Sequence, residues 1–199
     1  MKIGYFLLSG DPIHVGHLGI CTQCLNMNLV DKVRIVVAKG NPWKDPAVGT
    51  IDERLEMARK CAEHIDNCDA DDVEKDVMYP YSCYVLDELW NRNGKDENTH
   101  YLICGADTCN SLEGWLKFDE MIKGRFDVIA FSRDGEEPKQ IEGVNIITVN
   151  SNEFSGISST LIRKLILEGK NIYPYVSESI IEDCKNIYSD ISRVRDFEV

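Results

Sequence analysis

Short apolar runs alternate with amphipathic stretches along the chain. KIGYFLL (2–8) is almost continuously apolar, as a strand covered on both faces must be. HLGICTQCLNMN (17–28) reads as a helix, with Leu18, Cys21, Leu25 and Leu29 near one face. KVRIVVAK (32–39) predicts a second strand. TIDERLEMARKCAEHI (50–65) predicts a helix that Thr50 or Asp52 caps, with Leu55, Ala58, Ala62 and Ile65 as its apolar stripe. DVEKDVM (72–78) reads as a weaker strand and CYVLDELWNRN (83–93) as a helix. HYLICG (100–105), FDVIAFS (126–132) and VNIITVN (144–150) predict three more strands, with a short helix TCNSLEGW (108–115) after the first. SSTLIRKLILEG (158–169) and SESIIEDCKNIY (177–188) close the chain as helices. This alternation predicts an α/β fold: a doubly wound, mainly parallel sheet with helices on both faces. No repeat or Pro/Gly linker divides it, so 1–199 reads as a single domain with a C-terminal helical segment from about 158. In such sheets ligands bind beyond the carboxyl ends of the strands, where strand order reverses.

Composition narrows the partners. The 199 residues are 43% apolar, as in a soluble globular protein, and carry a net charge of −12. That charge argues against binding a nucleic acid polymer, which needs a basic face to release counterions. A small phosphorylated ligand stays open, because a few cations in a cleft focus a local field. No segment approaches the roughly 20 apolar residues that span a bilayer, so no membrane partner is expected. MKIGYFLLSGDP reads as a buried strand rather than a signal peptide. The eight cysteines then read mostly as buried free thiols of a cytoplasmic protein. Cys21 and Cys24 form a C-x-x-C, but no second pair completes a zinc set. A homo-oligomer is left open.

The candidate chemistry begins at SGDPIHVGHLGI (9–20), between the first strand and the first helix. Gly10 permits close backbone approach, Pro12 stiffens the turn, and His14 and His17 lie three apart near a helix start. As a metal pair they have only Asp11 nearby as a third ligand, and H-E-x-x-H is absent. As a catalytic base they lack a G-x-S-x-G nucleophile. Helix filler and an anion cradle both remain, the second because a helix N-terminus offers unpaired N–H groups and partial positive charge. GISSTLIRKLILEGK (156–170) is a second loop opening a helix, with Ser158, Ser159, Thr160 and then Arg163. It reads either as a capping cluster with a surface arginine or as a second anion site. Two anion sites in one α/β domain suggest a nucleoside triphosphate.

HVGH (14–17) matches an H-x-G-H signature, ISSTLIR (157–163) matches I-S-S-T-x-I-R, and GADTCNSLEGW (105–115) resembles G-A-D-x(7)-W. NPWK, ERLEM and FSRDG follow in the same order as corresponding family segments. On these residues the chain resembles the HxGH nucleotidyltransferase superfamily, which is Rossmann-like, and within it the nicotinate-nucleotide adenylyltransferases. The resemblance implies transfer of the adenylyl group of ATP to nicotinate mononucleotide, giving deamido-NAD and pyrophosphate in NAD biosynthesis. It implies catalytic roles for His14, His17 and Arg163. It puts Ser9, Gly10, Gly105, Asp107, Ser158, Ser159 and Thr160 on ATP, and Lys44, Tyr84, Val85, Trp115 and Arg133 on the mononucleotide. It implies Mg2+, bound mainly through the ATP phosphates. Asp107 also reads as a helix N-cap, Trp115 as a core tryptophan, and Arg54 as an ion-pair partner on its helix. His64 and His100 have no assigned role.

The chain departs from the family pattern in two places. Leu7 and Leu8 stand where the family has two glycines, and Gly10 where it has an aromatic residue. Cys83 to Leu89 replaces S-Y-T-x-D-T-L. Three alternatives accompany the resemblance: a relative acting on nicotinamide mononucleotide, one acting on phosphopantetheine, and a nucleotide-binding module without catalysis. Phosphopantetheine enzymes favour T-x-G-H, against His14.

Overall fold

The computed structural model describes residues 1–40, 46–79, 81–132, 135–150 and 156–190. Six strands form one all-parallel sheet: β1 (Lys2–Leu8), β2 (Lys32–Val37), β3 (Cys68–Asp71), β4 (Thr99–Gly105), β5 (Phe126–Ser132) and β6 (Ile146–Asn150). Their order is β3-β2-β1-β4-β5-β6. The helices are α1 (Val15–Asn26), α2 (Ile51–Ala62), α3 (Val73–Asp76), α4 (Ser82–Arg92), α5 (Ala106–Ser111), α6 (Phe118–Met121), α7 (Ser159–Leu167) and α8 (Ile181–Tyr188). The doubly wound, Rossmann-like expectation therefore holds.

The side-chain period of two explains the apolar strands. Phe6, Leu8, Val33, Ile35, Ile103, Ile129 and Phe131 share one face with apolar residues of α1, α2, α7 and α8. Ile3, Tyr5, Val36, Leu102, Val128 and Ala130 share the other with α4, α5 and α6. Every strand between β2 and β5 must be apolar on both sides, so the alternation that marks a half-exposed strand is missing. The chain winds outward from β1 through β2 to β3, then returns to lay β4 on the other flank of β1. Loops leaving β1 and β4 diverge, and a crevice opens beyond their carboxyl ends.

The third strand lies earlier than its pattern predicts. It is Cys68–Asp71, whereas Val73–Asp76, inside the expected strand, is a helical turn. β3 is an edge strand held by charge as much as by apolar burial. Asp69 receives Lys32 at 2.6 Å, and Asp71 receives Arg34 at 2.8 Å, both from the neighbouring strand. Asp71 Oδ1 then accepts from the Val73 N–H at 2.9 Å and turns the chain into α3. The helix expected over 108–115 starts earlier, at Ala106, and runs into a 3-10 turn at Leu112–Gly114. Thr50 caps α2 as expected, in a reciprocal arrangement with Glu53.

Candidate active site

Leu7 and Leu8 are consecutive strand residues and point to opposite faces of the sheet. Leu8 is buried in the face shared with α1 and α2, and Leu7 packs into the other. Leu8 also reaches under the loop that follows. Gly10 lies at φ +60, and a β-carbon there would sit 2.8 Å from Leu8 Cδ1. Leucine at 8 and glycine at 10 are thus a matched pair: the leucine occupies space that a larger residue at 10 would need.

The loop ends at His14, the N-cap of α1, and His17 is the third residue of that helix. The His14 N–H donates to His17 Nδ1 at 3.3 Å. With Nδ1 accepting, a neutral His17 carries its proton on Nε2. The two rings stack with centroids 3.6 Å apart and planes 24° apart. His17 also meets Phe6 edge-on at 5.9 Å, which ties its orientation to β1. His14 is buried and His17 half-buried. The pair therefore stands at the positive end of a twelve-residue helix, after the carboxyl end of β1, where the strand order reverses toward β4.

The second segment meets this loop directly. Ser158 caps α7, accepting from the Leu161 N–H at 3.1 Å. Ser159 Oγ donates to the Pro12 carbonyl at 2.9 Å. Arg163 Nη1 donates to the Asp11 carbonyl at 2.6 Å and lies 3.5 Å from Asp11 Oδ2. Arg163 Nη2 donates to Thr160 Oγ1 at 3.4 Å. Arg163 is not a surface arginine: it is 8% exposed. Its guanidinium locks residues far apart in sequence into one unit.

Beneath the loop lies a polar scaffold that sequence reasoning missed. Asp11 accepts from the Val48 N–H at 2.9 Å, the Gly49 N–H at 2.9 Å and the Tyr188 hydroxyl at 2.8 Å. Both of its oxygens are engaged, so it serves as a loop anchor and not as a third metal ligand. Arg54 is 1% exposed. It is not an ion-pair partner on a helix surface. It donates to the carbonyls of Ser9 at 2.6 Å, Ala38 at 2.7 Å and Gly49 at 2.9 Å. Burial lowers its pKa from the ordinary value, against the pull of the Asp11 charge. One signal was available: Arg54 falls four and eight residues before Ala58 and Ala62, on the apolar stripe itself. Nothing in the local pattern marked Asp11 or Tyr188, whose partners are remote.

Across the crevice, β4 ends at Gly105, which caps α5 in place of the expected Asp107. A β-carbon at Gly105 would lie 2.6 Å from Asp107 Oδ1, so the carboxylate folds back over the space that glycine leaves open. Asp107 is exposed in the first helical turn. Phe6 of β1 pairs with Ile103 of β4, two residues short of both strand ends. Gly105 and Asp107 therefore flank the loop that carries the histidines.

The remaining candidates divide. Trp115 is half-buried against the core shared with α4 and α6. Tyr84, in the first turn of α4, is exposed beside Tyr79 and Tyr81, with ring centroids 6.2 and 6.4 Å away. The Val85 side chain is core. The N–H groups of Tyr84 and Val85 both donate to the Tyr81 carbonyl, at 2.9 and 3.3 Å. Any backbone contact they make to a ligand must share that bond. Lys44 and Arg133 lie outside the described residues. His64 is exposed, while His100 is buried near the start of β4, bonded to the Tyr5 hydroxyl at 2.9 Å and the Lys95 carbonyl at 2.6 Å. All eight cysteines are free, and Cys21 and Cys24 are buried in the α1 interface. Among the described residues no group of three His, Cys, Asp or Glu side chains is placed to hold a metal ion. No helix among them is long and apolar enough to cross a membrane.

A parallel sheet with two loops joined at its switch point, one bearing paired histidines, defines a class of nucleotide-handling domain. Residues 9–165 match the model of the cytidylyltransferase-like family, and the chain belongs to that family. Within it the chain belongs with the nicotinate-nucleotide adenylyltransferases. A Flavobacterium johnsoniae protein named "Probable nicotinate-nucleotide adenylyltransferase" is 32% identical over 94% of this chain and 99% of its own length. One of the same name from Caldicellulosiruptor bescii is 31% identical over 90% of this chain and 96% of its own. The fold matches Plasmodium falciparum nicotinic acid mononucleotide adenylyltransferase complexed with NaAD, at a TM-score of 0.75 and 17% identity, covering 94% of this chain and 97% of that one.

Proposed function

We propose that this enzyme transfers the adenylyl group of ATP to nicotinate mononucleotide, forming deamido-NAD and releasing pyrophosphate. The observation that carries the reading is the junction of the two loops, Arg163 on Asp11 and Ser159 on Pro12, beside the stacked histidines at the head of α1. The 5′-phosphate of the mononucleotide attacks the α-phosphorus of ATP in line, and pyrophosphate leaves. No covalent enzyme intermediate is needed, so the protein contributes positioning and charge stabilisation. His14 and His17 donate hydrogen bonds to the phosphates, and these strengthen as charge builds in the transition state. Ser9, Gly10, Ser158, Ser159 and Thr160 shape the triphosphate site. Arg163 adds fixed positive charge behind it while holding the Asp11 carbonyl.

Asp107, exposed at the end of β4, offers acceptors to ribose hydroxyls. Trp115 and Tyr84 offer aromatic faces to the pyridinium ring. Magnesium would come with ATP as part of the substrate rather than on a protein site, since no group of side chains among the described residues is placed to hold it. The donors around the histidine pair suit a metal so carried, because the Asp11 carboxylate is already committed to Val48, Gly49 and Tyr188. When bound, it offsets the charge of the departing pyrophosphate. Cytoplasmic residence accords with the free thiols.

The non-catalytic reading drew on Leu7 and Leu8, and both side chains pack in the core, Leu8 reaching the floor of the loop beneath Gly10. The test is pyrophosphate release by the purified protein given ATP, magnesium and, separately, nicotinate mononucleotide, nicotinamide mononucleotide or phosphopantetheine. Turnover led by nicotinate mononucleotide is expected. Binding of ATP without turnover of any of the three overturns the assignment.

A further inference from the structure

We propose that Lys117 is a specificity-determining residue that favours a pyridine mononucleotide bearing a carboxylate over one bearing a neutral carboxamide. The proposal rests on the reading of the Trp115–Tyr84 surface given above. Lys117 immediately precedes α6 and lies two residues after Trp115. Its backbone is left-handed, at φ 58 and ψ 32, a region that costs a side chain free energy and is held only by its surroundings. From there its ammonium sits 5.4 Å from the centroid of the Tyr84 ring. Tyr79, Tyr81 and Tyr84 form the surrounding aromatic surface, each more than a third exposed. Its charge also reaches the neighbouring Cys83 thiol, drawing that group's pKa down against the rise that burial imposes.

Charge of both signs lies near Lys117: Asp119 and Glu120 follow it in the first turn of α6, and Asp119 is paired with Lys123. The protein carries a net charge of −12; among its described lysines Lys32, Lys60, Lys75, Lys123, Lys170 and Lys185 pair with a described carboxylate, while Lys2, Lys39, Lys95, Lys139 and Lys164, like Lys117, do not. Lys117 makes no ion pair with any described residue. The first turn of α4, which it faces, holds no acidic side chain. What sets Lys117 apart is its place: a cation without an ion pair among the described residues stands beside the Tyr84 ring, two residues from Trp115.

The chemistry of the two mononucleotides separates them at such a place. Both carry a cationic pyridinium ring that an aromatic face attracts. In the amide the ring charge is uncompensated, and an adjacent ammonium repels it. In the acid a carboxylate on the same ring turns toward the ammonium and reverses the sign of the interaction. One residue thus attracts the right substrate and penalises the wrong one, which is how a difference in affinity is built most economically.

The test compares steady-state kinetics of the wild type with Lys117→Met, Lys117→Gly and Lys117→Arg, using nicotinate and nicotinamide mononucleotides in turn. Lys117→Gly removes the charge while relieving the left-handed backbone, so it separates charge from strain. The ratio of kcat/KM, acid over amide, is expected to fall about two- to fivefold in both neutral variants and to persist in Lys117→Arg. The change should lie in the mononucleotide KM, with the ATP KM unmoved, and the wild-type ratio should shrink as salt rises. Equal losses for both mononucleotides would reassign Lys117 to a phosphate contact and overturn the proposal, as would an unchanged ratio. A wild type that turns over neither mononucleotide would remove the functional reading and this inference together.

Discussion

Replacing Arg54 with methionine tests the scaffold beneath the histidine loop. Methionine approximates the volume of the arginine stem but leaves three carbonyls, on Ser9, Ala38 and Gly49, without the donors now 2.6 to 2.9 Å away. A buried acceptor stripped of its partner costs about 1 to 3 kcal/mol. Only the Gly49 bond is buried and those to Ser9 and Ala38 are part-buried, where water offers relief, so the three give about 2 to 4 kcal/mol in all. Removing a desolvated guanidinium returns little of this, because Asp11 and Glu74 remain buried and lose its charge. Urea unfolding should show the loss as a lower midpoint at unchanged slope. In thermal unfolding it corresponds to a drop of about 10 °C for a chain of this size. Arg54→Lys keeps the charge but not the fork, and should recover part of the loss. A cost below about 1 kcal/mol for Arg54→Met would show that these carbonyls are satisfied without the guanidinium, and the scaffold argument would fail.

Three further outcomes are expected. His17→Ala should lower kcat a hundredfold or more while the unfolding midpoint barely moves, roughly the loss of one transition-state donor; a rate near wild type would remove the imidazole from the mechanism. Trp115→Ala should raise the mononucleotide KM and spare the ATP KM, and a change confined to stability would make Trp115 a core residue only. Glu74→Gln should be at least as stable as wild type at pH 7, because burial raises the Glu74 pKa and penalises the charged form, while an amide oxygen still accepts from the Lys39 N–H. Wild-type Glu74 takes up its proton in the folded state first, so the variant's advantage should vanish as pH falls through the raised folded pKa to the ordinary value of 4.5; an advantage that grows on acidification would contradict the stated cause.

The sequence alone determined what is local or periodic. Strands with apolar residues on both parities announced a sheet buried between helices, and KIGYFLL became β1 over nearly the same residues. Thr50 and Ser158 were legible as caps, since a cap is a bond across three residues. The two loop motifs could be located from their residue types, but only the fold joined them, through Arg163 on Asp11 and Ser159 on Pro12. β3 was misread because its four residues, CDAD, are stabilised by charges on β2 that no local window contains. Arg54 looked like an ion-pair partner on its helix, and only tertiary structure surrounded it with carbonyls from the loops after β1 and β2. Asp11 looked like a metal candidate until Tyr188, 177 residues away, delivered a hydroxyl to it. That division follows from chain connectivity: periodicity and capping are fixed within a few bonds, whereas a buried polar group is defined by whichever distant donors folding brings to it.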